Sequence, residues 1–210
     1  MKKQNVLAHL EKSKVFTVIR ESKNFKTLDV VKALVKGHLT TIEISMDIPN
    51  AIEIIREMSK DNKVLLGACS IITTCQAQAA VDAGAQFLDT PVIEMSIVKF
   101  AKGVDVPLIM GASTANEAYE SWKLNTLLTK IFPAKDMGGA EYISDIMRAM
   151  PFLKLIATSG VEIDDFLDYI EAGAIAVGLG KSLFENAKSL EEITQRALLV
   201  REKLDKYLAQ

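Results

Sequence analysis

The sequence predicts a parallel (β/α)8 barrel, an α/β TIM-barrel fold, and three observations carry that prediction. Eight short apolar runs alternate with helix-forming segments along the 210 residues. The runs are almost continuously apolar, as expected for strands that are covered on both faces. No G-x-G-x-x-G turn follows the first run, which disfavours the competing doubly wound open sheet. We therefore expect one barrel domain over residues 1–210, with a helix before the first strand.

The strands are predicted from apolar runs bounded by turn residues. Their expected spans are 16–20, 41–46, 63–69, 86–90, 107–111, a run within 127–135, 154–158 and 174–178. Side chains alternate between the two faces of a strand, so in the sixth run Leu128, Lys130 and Phe132 share one face.

The helices are predicted from 3.6-residue periodicity and from start and stop signals. A first helix is expected over 2–13. Later helices are expected to begin near Thr27, Pro49, Thr73 or Thr74, Ser113 or Thr114, Gly139, Ile163 and residue 189. They are expected to end near Gly37, Lys60, Gly84, Gly103, Trp122, Met150, Gly173 and residue 208.

The composition argues against several classes of function. The net charge of −2 gives no basic surface for nucleic acid, and no apolar run approaches the length of a membrane span. Cys69 and Cys75 have no second pair elsewhere, which argues against a disulfide framework or a structural zinc site. His9 and His38 lie in the first helix and in a turn, so the chemistry is expected to run without histidine. We expect a cytoplasmic protein that needs no metal and no other cofactor.

Lys130 is the candidate nucleophile. It lies near the end of the sixth predicted strand among apolar neighbours. Burying an ammonium without a partner is costly, and burial lowers a lysine pKa by up to about 3–5 units. A deprotonated lysine amine forms a Schiff base with carbonyl substrates. The alternative is a lysine at a strand end whose amine reaches water.

Glu43 is the second candidate for a catalytic role. It lies mid-strand between Ile42 and Ile44, on the same face as Thr41 and Ser45. A carboxylate in such a place must be paired, neutral or functional. We interpret Glu43 as the general acid/base beside the lysine, and a purely structural Lys–Glu ion pair is the alternative.

Two further groups of residues follow the predicted strands, at the end of a barrel where active sites lie. The candidates for substrate binding are Arg20, Ser70, Thr90 and Thr158. After strands seven and eight, small residues let backbone N–H groups approach an anion. The candidates for phosphate binding are Ser159, Gly160, Gly178, Gly180, Lys181 and Ser182. The spacing of this G-x-G-K-S segment does not match a nucleotide-binding P-loop.

Five short motifs carry a family resemblance. They are V-I-R at 18–20, I-E-I at 42–44, K-I-F-P-A at 130–134, T-S-G-V at 158–161 and V-G-L-G at 177–180. In this order they resemble the 2-keto-3-deoxy-6-phosphogluconate (KDPG) / 4-hydroxy-2-oxoglutarate (KHG) aldolase family, over essentially the whole chain. The K-I-F-P-A segment after an early glutamate on a strand is the specific part.

The resemblance implies a barrel that forms a homotrimer. It also implies metal-free cleavage of a small-molecule substrate into pyruvate and an aldehyde. The expected substrate is a 2-keto-3-deoxy acid with a phosphate at position 6, or 4-hydroxy-2-oxoglutarate. Lys130 would then be the Schiff-base lysine and Glu43 the acid/base. Thr158 would line the pyruvyl site, and the loops after strands seven and eight would hold the substrate phosphate.

The chain departs from the family pattern at one position that bears on the substrate. The family has an arginine four residues after the glutamate, where it contacts the substrate carboxylate, whereas this chain has Asp47. Arg20 is a candidate to take over that carboxylate. Two other functions stay open: a sugar-phosphate isomerase or epimerase that uses the same loops and Glu43, and a non-catalytic sugar-phosphate-binding protein.

Overall fold

The computed structural model describes residues 3–209, and its centre is a closed barrel of eight parallel strands. Each strand pairs with its neighbour in sequence, and the eighth strand closes the barrel by pairing with the first. The predicted fold is confirmed. The strands are β1 Val15–Ile19, β2 Thr41–Ser45, β3 Leu65–Cys69, β4 Phe87–Thr90, β5 Leu108–Ala112, β6 Leu128–Ile131, β7 Leu155–Thr158 and β8 Ala176–Leu179.

Helices connect the strands and cover the outside of the barrel. Those described within residues 3–209 are α1 Lys3–Ser13, α2 Thr27–Lys36, α3 Ala51–Met58, α4 Thr74–Ala83, α5 Met95–Gly103, α6 Ala115–Lys123, α7 Gly139–Ala149, α8 Phe166–Glu171, α9 Lys181–Phe184 and α10 Leu190–Leu208. Their apolar sides pack with the outward faces of the strands in one large buried cluster. In residues 3–209 no helix combines the length and the apolar character needed to cross a bilayer.

The inside of the barrel is filled by a second buried cluster, here called the interior cluster. Two residues of α1, Val6 and Leu10, belong to it, so α1 covers the end of the barrel where the strands begin. The ring of His9 on the same helix lies 2.9 Å from the hydroxyl of Thr41. The other members of the interior cluster are Phe16, Leu65, Phe87, Ile109, Leu127, Leu128, Ile156 and Ala176.

Several predicted element boundaries are confirmed and others are wrong. Thr73 and Thr114 cap α4 and α6, each within a reciprocal capping box. Thr27 does not cap α2, because the helix already begins there and Lys26 holds the cap position without a side-chain bond. Pro49 is outside α3, since Asn50 caps that helix in a left-handed conformation.

Two predicted elements near the end of the barrel, the helix after strand seven and strand eight, begin later than expected. The helix expected from Ile163 begins at Phe166, because the carboxylate of Asp165 accepts the N–H of Glu162 and forms a turn there. The strand expected from 174 begins at Ala176, since the preceding residues complete the turn after α8.

Candidate active site

Strand alternation brings four polar side chains to the inside of the barrel near the carboxyl ends of the strands. Asp89, Lys130 and Thr158 each stand two residues after a member of the interior cluster, so they face inward. Glu43 stands two residues after Thr41 on β2 and faces the same way. All four of these inward groups are at most 6% exposed, which makes them unusual for charged and polar residues.

Lys130 is paired with Asp89. Its Nζ donates a hydrogen bond to Asp89 Oδ1, and the two side chains are 8% and 0% exposed. All other ion pairs between described residues are much more exposed. The sequence places Glu43 beside the lysine, but the direct partner of the amine is Asp89. Removing one member of a buried pair leaves an uncompensated charge, which costs about 3–5 kcal/mol.

The pairing reverses the predicted titration of Lys130. Burial acts to lower the lysine pKa, but the charges of Asp89 and Glu43 and the hydrogen bond to Asp89 outweigh it. The pKa of Lys130 therefore lies above its ordinary value, and the expectation that burial alone lowers it is wrong. Lys130 is therefore an ammonium at neutral pH. It must lose a proton before it can act as a nucleophile.

Glu43 has the opposite character. Burial and the negative charge of Asp89 raise its pKa well above the ordinary value, although Lys130 and a hydrogen bond from the Cys69 thiol act against this rise. Its Oε1 is buried and has no hydrogen-bond partner among the described residues. A raised pKa favours the protonated form of a carboxyl group, which can donate its proton.

A cavity of about 470 Å³ opens at the carboxyl ends of β1, β6, β7 and β8. The ring of Phe132 forms part of its wall, and the centroid of that ring lies 5.5 Å from Lys130 Nζ. Thr158 is in the wall as well. The cavity brings together eight of the predicted site residues, which are Arg20, Thr158, Ser159, Gly160, Gly178, Gly180, Lys181 and Ser182.

The loops after β7 and β8 form one side of this cavity. Ser159 and Gly160 both have positive φ, at 74° and 80°, so the chain turns sharply after Thr158. A Cβ added at Gly160 would lie 2.4 Å from Lys135 Cβ, which explains the glycine. Gly180 precedes α9, and the side chain of Ser182 on that helix donates to the carbonyl of Val161 at 3.5 Å.

Arg20 lies at the rim of the cavity and is already paired. Its Nη1 donates to Asp47 Oδ2 at 2.8 Å, and the two side chains are 44% and 52% exposed. Pairs that are this exposed contribute little to stability, about 0–1 kcal/mol. The same pair does lower the net positive charge that the rim presents to an anion.

Ser70 and Thr90 do not line the cavity. The hydroxyl groups of Ser70 and Ser45 lie 2.6 Å apart and share a hydrogen bond. Thr90 is fully buried, and its hydroxyl donates to the carbonyl of Val92 at 3.0 Å. Both of these predicted substrate-binding hydroxyl groups therefore bond to the protein itself.

Asp89 is the site residue that the sequence analysis missed. The sequence does contain a signal for it, which is an acidic residue within an apolar strand. Asp89 follows Phe87 and Leu88, just as Glu43 lies between Ile42 and Ile44. The rule that singled out Glu43 applies equally to Asp89. Within residues 3–209 no group of three or more His, Cys, Asp or Glu side chains is arranged to hold a metal ion.

The closed parallel barrel, with a buried lysine and two carboxyl groups at the carboxyl end of its strands, defines a (β/α)8-barrel enzyme. Residues 6–196 match the family model described as KDPG and KHG aldolase. The chain therefore belongs to the KDPG and KHG aldolase family, whose members are aldehyde-lyases.

Individual relatives agree with this assignment. The 2-dehydro-3-deoxy-phosphogluconate aldolase of Treponema pallidum is 29% identical over 164 residues, which cover 77% of each chain. The structure of a 4-hydroxy-2-oxoglutarate/2-dehydro-3-deoxyphosphogluconate aldolase has a TM-score of 0.84 and 23% identity, over 97% of this chain and 99% of that one. The Legionella pneumophila KDPG aldolase, solved with pyruvate captured as a covalent carbinolamine, has a TM-score of 0.81 and 23% identity, over 92% and 97% of the two chains.

Proposed function

We propose that the protein is a class I aldolase that cleaves a 2-keto-3-deoxy sugar acid into pyruvate and an aldehyde, with Lys130 as the Schiff-base lysine. The observation that carries the proposal is the buried Lys130 amine, which is bonded to Asp89 and lies within electrostatic reach of Glu43, beside a cavity lined by small-residue loops. The covalent carbinolamine captured in the Legionella relative fits this assignment.

Imine formation uses Lys130 and Glu43. The deprotonated amine attacks the carbonyl carbon at C2 of the substrate, and the carbonyl π electrons move to oxygen. Burial and Asp89 raise the pKa of Glu43, which favours its protonated form, and Glu43 gives its proton to the oxygen. Loss of water then leaves an iminium on Lys130.

Carbon–carbon cleavage follows from the iminium. The positively charged nitrogen accepts the electron pair of the C3–C4 bond, which yields a neutral enamine. Glu43, now a carboxylate, takes the proton of the C4 hydroxyl, and C4 leaves as the aldehyde. The protonated Glu43 returns that proton to C3, and hydrolysis of the regenerated iminium releases pyruvate.

The cavity supports a phosphorylated substrate. Ser159, Gly160 and Gly180 bring backbone close to its wall, and Lys181 supplies an exposed cation. A phosphate at the far end of a six-carbon acid would lie against these loops while C2 reaches Lys130. The non-phosphorylated 4-hydroxy-2-oxoglutarate is the other substrate that the family name suggests. A comparison of the turnover of the two acids at equal concentration measures how much a phosphate bound by these loops contributes to catalysis.

Reductive trapping tests the assignment of Lys130. Incubation with pyruvate and borohydride is expected to add one reduced pyruvyl group, and peptide mass spectrometry is expected to place it on Lys130. The variant K130M is expected to give no adduct, whereas the matched variant K154M changes an exposed lysine and is expected to react like the wild type. Labelling at another residue, or none with several 2-keto acids, would reject the proposal. Substrate proton exchange without trapping would instead favour an isomerase.

We also propose, from the family resemblance, that the protein forms a homotrimer and works in the cytoplasm. Light scattering coupled to gel filtration measures the first property, and cell fractionation measures the second.

A further inference from the structure

We propose that Asp89 is a positioning residue of the Schiff-base site, which holds the Lys130 amine in place, takes its proton as the ketone arrives, and remains the counter-ion of the iminium. This inference rests on the proposed function of Lys130. It assigns the two buried carboxyl groups different tasks, with Asp89 acting through the nitrogen and Glu43 acting on oxygen and carbon.

The first argument is the position of Asp89. It lies on β4 and Lys130 lies on β6, so β5 stands between them. Gly111, the register partner of Lys130 on β5, has no side chain to fill the space between the two groups. A Cβ at Gly111 would lie 2.4 Å from the carbonyl oxygen of Pro91, so the glycine also lets the chain after β4 approach β5. The glycine therefore leaves room for the direct contact between the Lys130 amine and Asp89.

The second argument is that the ion pair leaves a carboxylate oxygen unused. Asp89 Oδ1 accepts from Lys130, but the buried Oδ2 has no hydrogen-bond partner among residues 3–209. An unpaired buried acceptor carries a desolvation cost that a purely structural ion pair does not require. A free lone pair beside the nucleophile is what a proton acceptor needs.

The third argument is the proton balance of imine formation. An ammonium and a ketone give an iminium and one water, so the nitrogen loses two of its three hydrogens and the departing oxygen gains two. One carboxylate must take a proton from nitrogen, and one acid must supply a proton to oxygen. Asp89 is hydrogen-bonded to Nζ and serves the nitrogen, whereas no described hydrogen bond joins Glu43 to Nζ.

The charges are consistent with this division. The nitrogen carries one positive charge as the ammonium and again as the iminium, so Asp89 has a cationic partner in both states. As the carbinolamine loses water, the departing oxygen carries the proton from Glu43 and one further proton from nitrogen, while the proton first taken by Asp89 is released to solvent. Asp89 is then again a carboxylate, and Glu43 is one as well. The nitrogen is uncharged only while Asp89 holds the proton, when Asp89 is uncharged too, and while the enamine exists.

The experiment measures the trapping of pyruvate on Lys130 with cyanoborohydride as a function of pH. Wild type is compared with D89N, whose amide keeps the shape of the side chain but has neither charge nor basicity. Without the anion, burial lowers the Lys130 pKa, so the pH midpoint of trapping is expected to fall by roughly one unit or more. The trapping rate above that midpoint is expected to fall about 100-fold. The control D205N changes an exposed aspartate on α10 and is expected to match the wild type.

A second matched pair protects the test against misfolding of D89N. In D89E a carboxylate is restored one methylene further out, and the pH midpoint is expected to return toward that of the wild type, whereas in D89Q it is not. A folded D89N with the wild-type midpoint overturns the role of Asp89 and leaves the proposed function intact. Absence of any Lys130 adduct in the wild type overturns the proposed function itself.

Discussion

The guanidinium of Arg20 and the carboxylate of Asp47 form an ion pair at the rim of the cavity, with 2.8 Å between Nη1 and Oδ2. Arg20 is part of the cavity wall, so a substrate carboxylate that binds there must compete with Asp47. Asp47 therefore weakens the attraction of this rim for anions, whichever acid is the substrate.

Replacement of Asp47 by asparagine is expected to release Arg20 for the substrate. Because the pair is about half exposed, the expected effect is small: a fall of about 2- to 5-fold in KM for a 2-keto acid, with little change in kcat. Steady-state kinetics measure this change. D145N removes an ion pair on α7 whose aspartate is about as exposed as Asp47, and it should leave KM as it is. An unchanged KM in D47N would show that Arg20 does not bind the carboxylate.

Replacement of Lys181 by alanine is expected to affect only phosphorylated substrates. The ammonium is exposed in the wall of the cavity, so its loss should raise KM for a 6-phosphorylated acid by about fivefold. The trapping of pyruvate, which carries no phosphate, should not change. K188A removes an exposed lysine beyond the cavity and serves as the control. Equal effects of K181A on both ligands would argue against a phosphate site here.

Replacement of Gly111 by alanine is expected to destabilise the protein and to impair imine formation. The new Cβ would lie 2.4 Å from the backbone oxygen of Pro91, and such overpacking costs about 1–3 kcal/mol. G103A is the matched control, because no atom lies within 4 Å of a Cβ at the end of α5. Its free energy of unfolding should stay within about 1 kcal/mol of the wild type, on the stabilising side. Urea unfolding compares the two variants, and equal stability would contradict the close contact at Gly111.

Replacement of Glu43 by glutamine is expected to change how stability depends on pH. The folded protein holds the Glu43 pKa well above 4.5, the ordinary value, because the group is buried near Asp89. That contribution to stability is fully present below the ordinary pKa and is lost as pH rises through the folded-state value. E43Q lacks this loss, so its stability relative to wild type should increase above about pH 4.5, by at most about 1.4 kcal/mol per pH unit.

Urea unfolding at several pH values tests this expectation for E43Q. E202Q is the control with the opposite sign, because a hydrogen bond from Lys206 holds the Glu202 pKa below its ordinary value. A stability difference between E43Q and wild type that stays constant with pH would mean that Glu43 ionises normally in the folded protein.

The fold could be predicted because strands and helices leave local signals. Apolar runs marked seven of the eight strands to within about two residues, and β6 lies inside the longer run predicted at 127–135. Thr73 and Thr114 are followed three residues later by the partners that complete their capping boxes. Thr27 and Pro49 misled the prediction because residues of these types are found on either side of a helix start. Only the observed turns decide on which side they lie.

The candidate site was only partly predictable because its chemistry depends on contacts between distant strands. Alternation placed Glu43 and Lys130 inside the barrel, as observed. The partner of Lys130 lies 41 residues earlier in the chain, and no local pattern states that the two side chains meet. Because the sequence-based prediction did not include Asp89, burial was the only influence that it considered for Lys130. The predicted direction of the Lys130 pKa shift was therefore wrong.

Helix α1 gives the molecule a property that none of the strands could supply. Its apolar side closes the end of the barrel where the strands begin, so under the proposed mechanism substrate and products reach and leave Lys130 through the opposite end. In that mechanism the aldehyde lies between this open end and the pyruvyl group that is still attached to the lysine. The aldehyde is therefore expected to leave first, and pyruvate follows once water can reach the iminium and hydrolyse it.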